Sequence, residues 1–187
     1  MKKYILPSIK ITLVFLVICS GLYPLFISVV GRLTTGQGKG ETVLVNGKVV
    51  GYANIGQKFD QDKYFWSRPS AVAYNAAGSA GSNKGPTNPD YLKDVQSKID
   101  TFLVHNPTVK KEEIPAEMVT YSGSGLDPDV SPKAAYIQVA RVAKARNISE
   151  EKIMALVNQH IEKPLLGVFG PEKINVLKLN VDLDKLN

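Results

Sequence analysis

ITLVFLVICSGLYPLFISVVG, residues 11 to 31, carries no charge over 21 positions. As a helix rising about 1.5 Å per residue it reaches roughly 30 Å, the thickness of a bilayer core. A cleaved signal core is shorter, about 7–15 residues, and ends in a small-x-small site. Cys19, Ser20 and Gly21 imitate such a site, but apolar sequence resumes at Leu22 and runs to Val30. Acylation of Cys19 is disfavoured because Ile18 stands where a small residue is needed. The stretch therefore predicts a retained single span. Pro24 removes a backbone donor inside it and predicts a kink. Gly21, Tyr23 and Pro24 mark a notch where a neighbouring membrane helix can pack.

Charge assigns sides to that span. The chain has 23 basic and 17 acidic residues, a net of +6. Lys2, Lys3, Lys10 and Arg32 supply four positive charges in the first 32 residues, which hold no acid. The flanking bias places residues 1–10 in the cytoplasm and the domain after residue 40 outside. The remainder is nearly balanced, with no basic stripe interleaved by aromatics, so nucleic-acid binding is not expected. One cysteine and two histidines give no disulfide, no CxxC site and no histidine-rich metal centre.

Beyond the span, RLTTGQGKGE (32–41) reads as a polar tether to a domain over 41–187. TVLVNGKVVGYANIG (42–56) reads as a hairpin about Asn46–Gly47, since both turn residues must take positive φ. Residues 56–87 form a long connection holding Tyr64, Phe65, Trp66 and Tyr74, too aromatic for disorder. NPDYLKDVQSKIDTFLVHN (88–106) reads as a helix capped by Asn88, with Leu92, Val95, Ile99 and Phe102 on its inner face. AEMVTY (116–121) reads as a strand. SPKAAYIQVARVAKAR (131–146) reads as one helix capped by Ser131, and SEEKIMALVNQHIEK (149–163) as another capped by Ser149. INVLKLNVDLD (174–184) alternates from Leu177 to Asp184 and reads as a half-buried strand. The fold class is α/β (α+β): one transmembrane helix, then a compact extracytoplasmic domain with a small sheet, a β-hairpin and about three helices.

Catalytic patterns are weak. GSAGSNKGPTNP (78–89) resembles a phosphate loop only in composition. Counting from Gly78 or Gly81, the second required glycine falls on Asn83 or Pro86, and Lys84 precedes Gly85 rather than a hydroxyl. GSG at 123–125 lacks the serine elbow. His105 and His160 read as surface or helix-end residues. Asp127 and Asp129 flank Pro128 and suit a turn and helix cap rather than a calcium loop. YFWSRPSA (64–71) is more suggestive, because Tyr, Trp and Arg dominate interaction hot spots; a loop folded onto its own core fits it equally.

In one order, GLYP (21–24), IGQKF (55–59), YFWSRPSA, Tyr74–Asn75, SAGSNKGPTNP (79–89), SGSGLDPDVSP (122–132), QVARVAKARN (138–147) and NVLKLNVDLDKL (175–186) resemble the KdpC family, a component of the bacterial Kdp potassium-transporting ATPase. Ala80, Lys84 and Ala140 depart from that family's usual pattern, and loss of a proline at Ala140 is expected to straighten its helix. The resemblance implies a non-catalytic accessory subunit of a high-affinity potassium uptake complex in the bacterial plasma membrane. Its implied partners are a channel-like potassium-binding subunit, a P-type ATPase subunit and a small one-helix subunit. It also implies a chaperone-like rise in the ATP affinity of the ATPase subunit, with no cofactor held by this chain. With the domain outside, direct nucleotide contact by Gln138 or the Gly78–Gly85 loop would need the opposite topology, so ATP enters only through the complex. Candidate partner contacts are Tyr64, Phe65, Arg68, Pro69, Tyr74, Asn75, Ser82, Asn83 and Asn88. The competing classes are a membrane-anchored cell-envelope enzyme and an extracytoplasmic solute-binding module.

Overall fold

The computed structural model describes residues 2–186, and the chain divides into two units between Thr42 and Val43. In the first unit, helices α1 (Lys2–Val17) and α2 (Tyr23–Gly31) are joined by a π-helical turn, Ile18–Leu22. Together, Lys3–Gly31 make a helical stretch long and apolar enough to cross a membrane. The irregularity expected from Pro24 is this π turn. Pro24 cannot donate to the carbonyl one turn back, and the Tyr23 N–H instead reaches Ile18 O, five residues back. Gly21 leaves open space where a Cβ would stand. Residues 32–40 run on as successive turns.

The second unit is mixed α/β. The hairpin β1 (Thr42–Val45) and β2 (Lys48–Tyr52) begins at the boundary, and its turn has Asn46 at φ 51° and Gly47 at φ 76°. Helix α3 (Pro89–His105) begins where the sequence indicates. The Asn88 side chain accepts from the Asp90 and Tyr91 N–H groups at 3.1 and 3.0 Å, and Pro89 takes the first position. Only Phe102 of its four apolar positions is fully buried, and Leu92 faces solvent.

Four expectations are overturned. AEMVTY is no strand: Ala116–Met118 is a 3₁₀ turn after Pro115, and the Thr120 hydroxyl closes it by donating to Ala116 O at 2.8 Å. Met118 and Val119 are both buried, which the alternation of a half-buried strand would not give.

The 131–146 helix is two helices, α4 (Pro132–Tyr136) and α5 (Val139–Arg146). The break lies at Gln138, whose side-chain amide, not its backbone, donates to Ala134 O at 2.9 Å. The Gln138 backbone N–H bonds Ala135 O instead. Ala140 therefore lies in the first turn of a new helix, where a missing proline straightens nothing.

Ser131 caps α4 by accepting from Ala134 N at 3.2 Å. Ser149 makes no such side-chain bond to α6 (Glu150–Gln159), which relies on the Ser149 carbonyl and on Glu150 and Glu151 in its first turn.

The final run is a short strand, β4 (Ile174–Asn175), followed by helix α7 (Val176–Leu183). Asn175 ends the strand and starts the helix, its side chain accepting from Lys178 N at 3.0 Å. Val176, Leu179, Asn180 and Leu183 are buried at helical spacing. The i, i+2 alternation coincides with this set at Leu179 and Leu183, so both periods fit the letters. β4 pairs antiparallel with β3 (Asp129–Val130), Val130 opposite Ile174.

The core joins α4–α7 with the loop segment. Val139, Val142 and Ala143 of α5 and Ile153, Leu156 and Val157 of α6 each recur at i, i+3, i+4. Phe65, wholly buried, enters from the long connection. Each such buried Val, Leu, Ile or Phe side chain contributes about 1.5–3 kcal/mol.

Candidate functional site

Residues 61–69 have no helix or strand of their own, yet they are held from three elements. Asn180 of α7 treats Phe65 as a strand neighbour would. Its Oδ1 accepts from Phe65 N and its Nδ2 donates to Phe65 O, both at 2.9 Å. Gln138 accepts from Trp66 N at 2.8 Å and from Arg141 Nη2 at 2.7 Å through the same oxygen.

Arg141 of α5 is the hub. Its buried guanidinium donates to the carbonyls of Asp62 at 2.6 Å and Tyr64 at 3.0 Å, and to Asn106 Oδ1 at 3.1 Å. It also lies 4.5 Å from the Trp66 ring. Burial pulls its pKa down to about 10, opposed by the nearby Asp62 carboxylate, and it stays charged at neutral pH.

Tyr64 lies on the rim of the same assembly. Its hydroxyl donates to Asp184 Oδ2 at 3.1 Å, and Arg146 lies 5.0 Å from its ring while binding Asp184 Oδ1 at 2.6 Å. His105 sits against Trp66, ring centroids 4.9 Å apart, with Nδ1 2.7 Å from Asp62 Oδ1. An open hollow of about 410 Å³ between Phe59, Trp66, Phe102 and His105 lies beside this pair. His160 caps the end of α6 and pairs with Asp182 at 3.0 Å.

The next stretch packs on residues 122–127. Arg68 Nη1 binds Asp127 Oδ2 at 2.6 Å, while Arg68 Nε is buried with no hydrogen-bond partner. Asp127 makes the expected turn, its Oδ1 accepting from Asp129 N at 3.1 Å. The Pro69 carbonyl accepts from Ser122 N, and the Tyr74 hydroxyl donates to Arg68 O at 2.7 Å. Burial raises the Tyr74 phenol to about 12.

Ala73 and Tyr74 both take left-handed backbone, φ 51° and 58°, which neither residue favours. Such strain persists only where surroundings impose it, and the Ser70 hydroxyl accepting from Tyr74 N at 2.9 Å helps impose it. The 78–82 loop then lies on residues 123–125. Ser79 donates to Ser124 O at 2.9 Å, and Gly125, at φ 67°, leaves no room for a Cβ, which would stand 2.7 Å from Ala80 O and 2.6 Å from Val72 Cγ2.

Of the sequence-marked residues, the fold gathers Tyr64, Arg68, Pro69 and Tyr74 into this pinned segment. Asn75 and Asn83 are exposed and Ser82 half-buried, in the loop that continues it, and Asn88 is spent on capping α3. Phe65 is corrected: it lies in the core and supports the surface from beneath. Gln138 is fully buried with both side-chain polar atoms engaged inside the protein. Sequence reasoning passed over Asn180 and Arg141, whose signal was a polar residue on the inner face of an apolar helix. It also passed over residues 164–170, where four large apolar residues crowd a single glycine between Pro164 and Gly170.

A family model described as K+-transporting ATPase, c chain, matches residues 5–185. A potassium-transporting ATPase KdpC subunit of Flavobacterium psychrophilum is 58% identical over 184 residues, covering 98% of this chain and 99% of that one. The KdpC subunit of Bacteroides fragilis is 54% identical over 187 residues, covering 98% of each chain. That of Caldanaerobacter subterraneus is 48% identical over 177 residues, covering 94% and 92%.

Proposed function

This chain belongs to the KdpC family, and on that premise we propose that it is a membrane-anchored, non-catalytic accessory subunit of a potassium-transporting ATPase complex. Its span joins it to the membrane-embedded subunits, with the N-terminus cytoplasmic and the domain outside. The pinned surface from Tyr64 through Asn83 docks on the potassium-binding subunit near its external entrance. A P-type ATPase subunit and a one-helix subunit make up the rest of the assembly. This chain raises ATP affinity at a distance, as a coupling free energy passed through the span and partners. The observation that carries this reading is the use of buried polar side chains as internal struts. Gln138, Arg141 and Asn180 spend their polar atoms on the backbone of residues 62–66, from which the Tyr64–Asn83 surface starts. Pre-ordering a contact loop in this way lowers the entropy lost on binding.

Co-purification of the tagged full-length chain from native membranes tests the proposal. The other transporter subunits are expected in fixed ratio, identified by mass. Asn83→Gly preserves the left-handed backbone at φ 54° while removing an exposed side chain. It is expected to lower recovery of the complex and to raise the ATP concentration needed for half-maximal turnover. Intact recovery with unchanged turnover removes the docking assignment.

A further inference from the structure

The hairpin at 164–170, PLLGVFG, is not explained by the core or by the pinned loop. It leaves the chain after α6 and returns to β4 through backbone bridges Glu162–Lys173 and Leu165–Phe169. Its turn is tight: Phe169 N reaches Leu165 O at 3.0 Å, Leu165 N reaches Phe169 O at 3.1 Å and Gly167 N reaches Pro164 O at 2.9 Å. Leu165, Leu166, Val168 and Phe169 are 71%, 82%, 74% and 63% exposed.

Three observations say what covers it. The first is backbone cost. Leu166 is left-handed, φ 54°, a conformation that suits Asn or Gly, and its side chain contacts solvent rather than core. An apolar side chain held at such a position gains nothing from this fold.

The second is size. Four side chains so exposed offer on the order of 500 Å² of apolar surface, a large patch for a monomer. That remains below the roughly 800 Å² per partner of a self-sufficient interface. A second copy or a freely diffusing partner is therefore a poor occupant. A neighbour already held beside this chain by the span is a good one, because tethering supplies the missing association through effective concentration.

The third is charge. The base of the hairpin carries Glu162, Lys163, Glu172 and Lys173, two of each sign, and Lys173 is itself paired with Asp129 at 2.7 Å. There is no cationic rim and no Trp or Tyr among residues 162–173, the features of a loop that rests in lipid headgroups. A rigid turn of fixed shape suits a pocket in a protein rather than a fluid bilayer.

We propose that the 164–170 hairpin is a knob that inserts into an apolar pocket on a membrane-embedded neighbour subunit of the same transporter. The proposal rests on the accessory-subunit reading above and adds a second contact, separate from the Tyr64–Asn83 surface.

The test uses the full chain in native membranes with Phe169→benzoylphenylalanine, illuminated before solubilisation. The expected product is an adduct with one membrane-embedded subunit of the complex. Leu166→Asn accompanies it, because Asn adopts the left-handed turn readily. It is expected to lower recovery of the complex by about tenfold, the scale of one interface anchor, while the thermal midpoint of the chain moves by less than about 2 °C. An adduct with lipid alone, an adduct with a second copy, no adduct, or unchanged recovery of Leu166→Asn overturns the proposal. If the unsubstituted tagged chain brings down no transporter subunit at all, the accessory-subunit reading itself fails and takes the knob with it. Normal recovery beside a missing adduct sinks the knob alone.

Discussion

Residues 61–69 and residues 164–170 both lie outside helix and strand apart from single bridges, and they reach order by opposite means. The first is held by side chains that arrive from elsewhere. Asn180, Gln138 and Arg141 stand in for the absent neighbours of a strand. The second is held by its own backbone, closed on itself within five residues. The first therefore depends on the whole domain, and its substitutions cost stability. The second is nearly independent of the domain, so its side chains are free to be chosen for something outside it. A loop pinned from afar and a loop closed locally answer to different constraints.

The sharpest break of this contrast is Arg141→Ala. It strands the Asp62 and Tyr64 carbonyls, Asn106 and one bond of Gln138 together. It is expected to cost about 3–5 kcal/mol, read as a fall in thermal midpoint of the detergent-solubilised full chain. A loss below about 1 kcal/mol would show that the hub is redundant.

Asn180→Ala removes both bonds to Phe65 and leaves a buried N–H and C=O unpaired. A loss of about 2–3 kcal/mol is expected, with Phe65 and Trp66 amides exchanging faster than those of α6. Next comes Gly125→Ala, which forces a Cβ against Ala80 and Val72 at a left-handed position and should cost about 2 kcal/mol. Proteolysis would then be expected to cut within 76–84, where the displaced loop opens.

Tyr74 gives a pH test. Burial raises its folded pKa to about 12, above the ordinary 10 of the unfolded chain. Its contribution is therefore complete below pH 10 and is lost as pH climbs towards 12, by about 2 kcal/mol once solvent screening is allowed for. Comparing thermal midpoints between pH 9 and pH 12, Tyr74→Phe should flatten that decline. Equal slopes would show that the phenol is not held neutral by the fold. The smallest expected effect lies in the hairpin, where Leu165→Ser should change stability by no more than about 0.5 kcal/mol. A larger loss would mean that the hairpin packs on the domain and the contrast is false.

What the letters alone determined was local or linear. The apolar run of 11–31 announced a membrane-length helix, because transfer into a bilayer depends on composition and length. Asn46–Gly47, Asn88–Pro89 and Ser131–Pro132 announced a turn and two helix starts, because caps and turns act over three or four residues. The order of motifs along the chain announced the family.

Tertiary structure decided the rest. INVLKLNVDLD satisfies two periods at once, and only the Asn175 cap and the burial of Val176 beside Leu179 chose helix over strand. The break at Gln138 exists because a side chain from within the helix took the Ala134 carbonyl and turned its other end to Trp66, a residue 72 positions away. Phe65 and Trp66 look like surface anchors until buried Asn180 and Gln138 show that their backbone is clamped from behind. No local signal carries such information, since the partner of each polar atom is set by what the fold brings beside it.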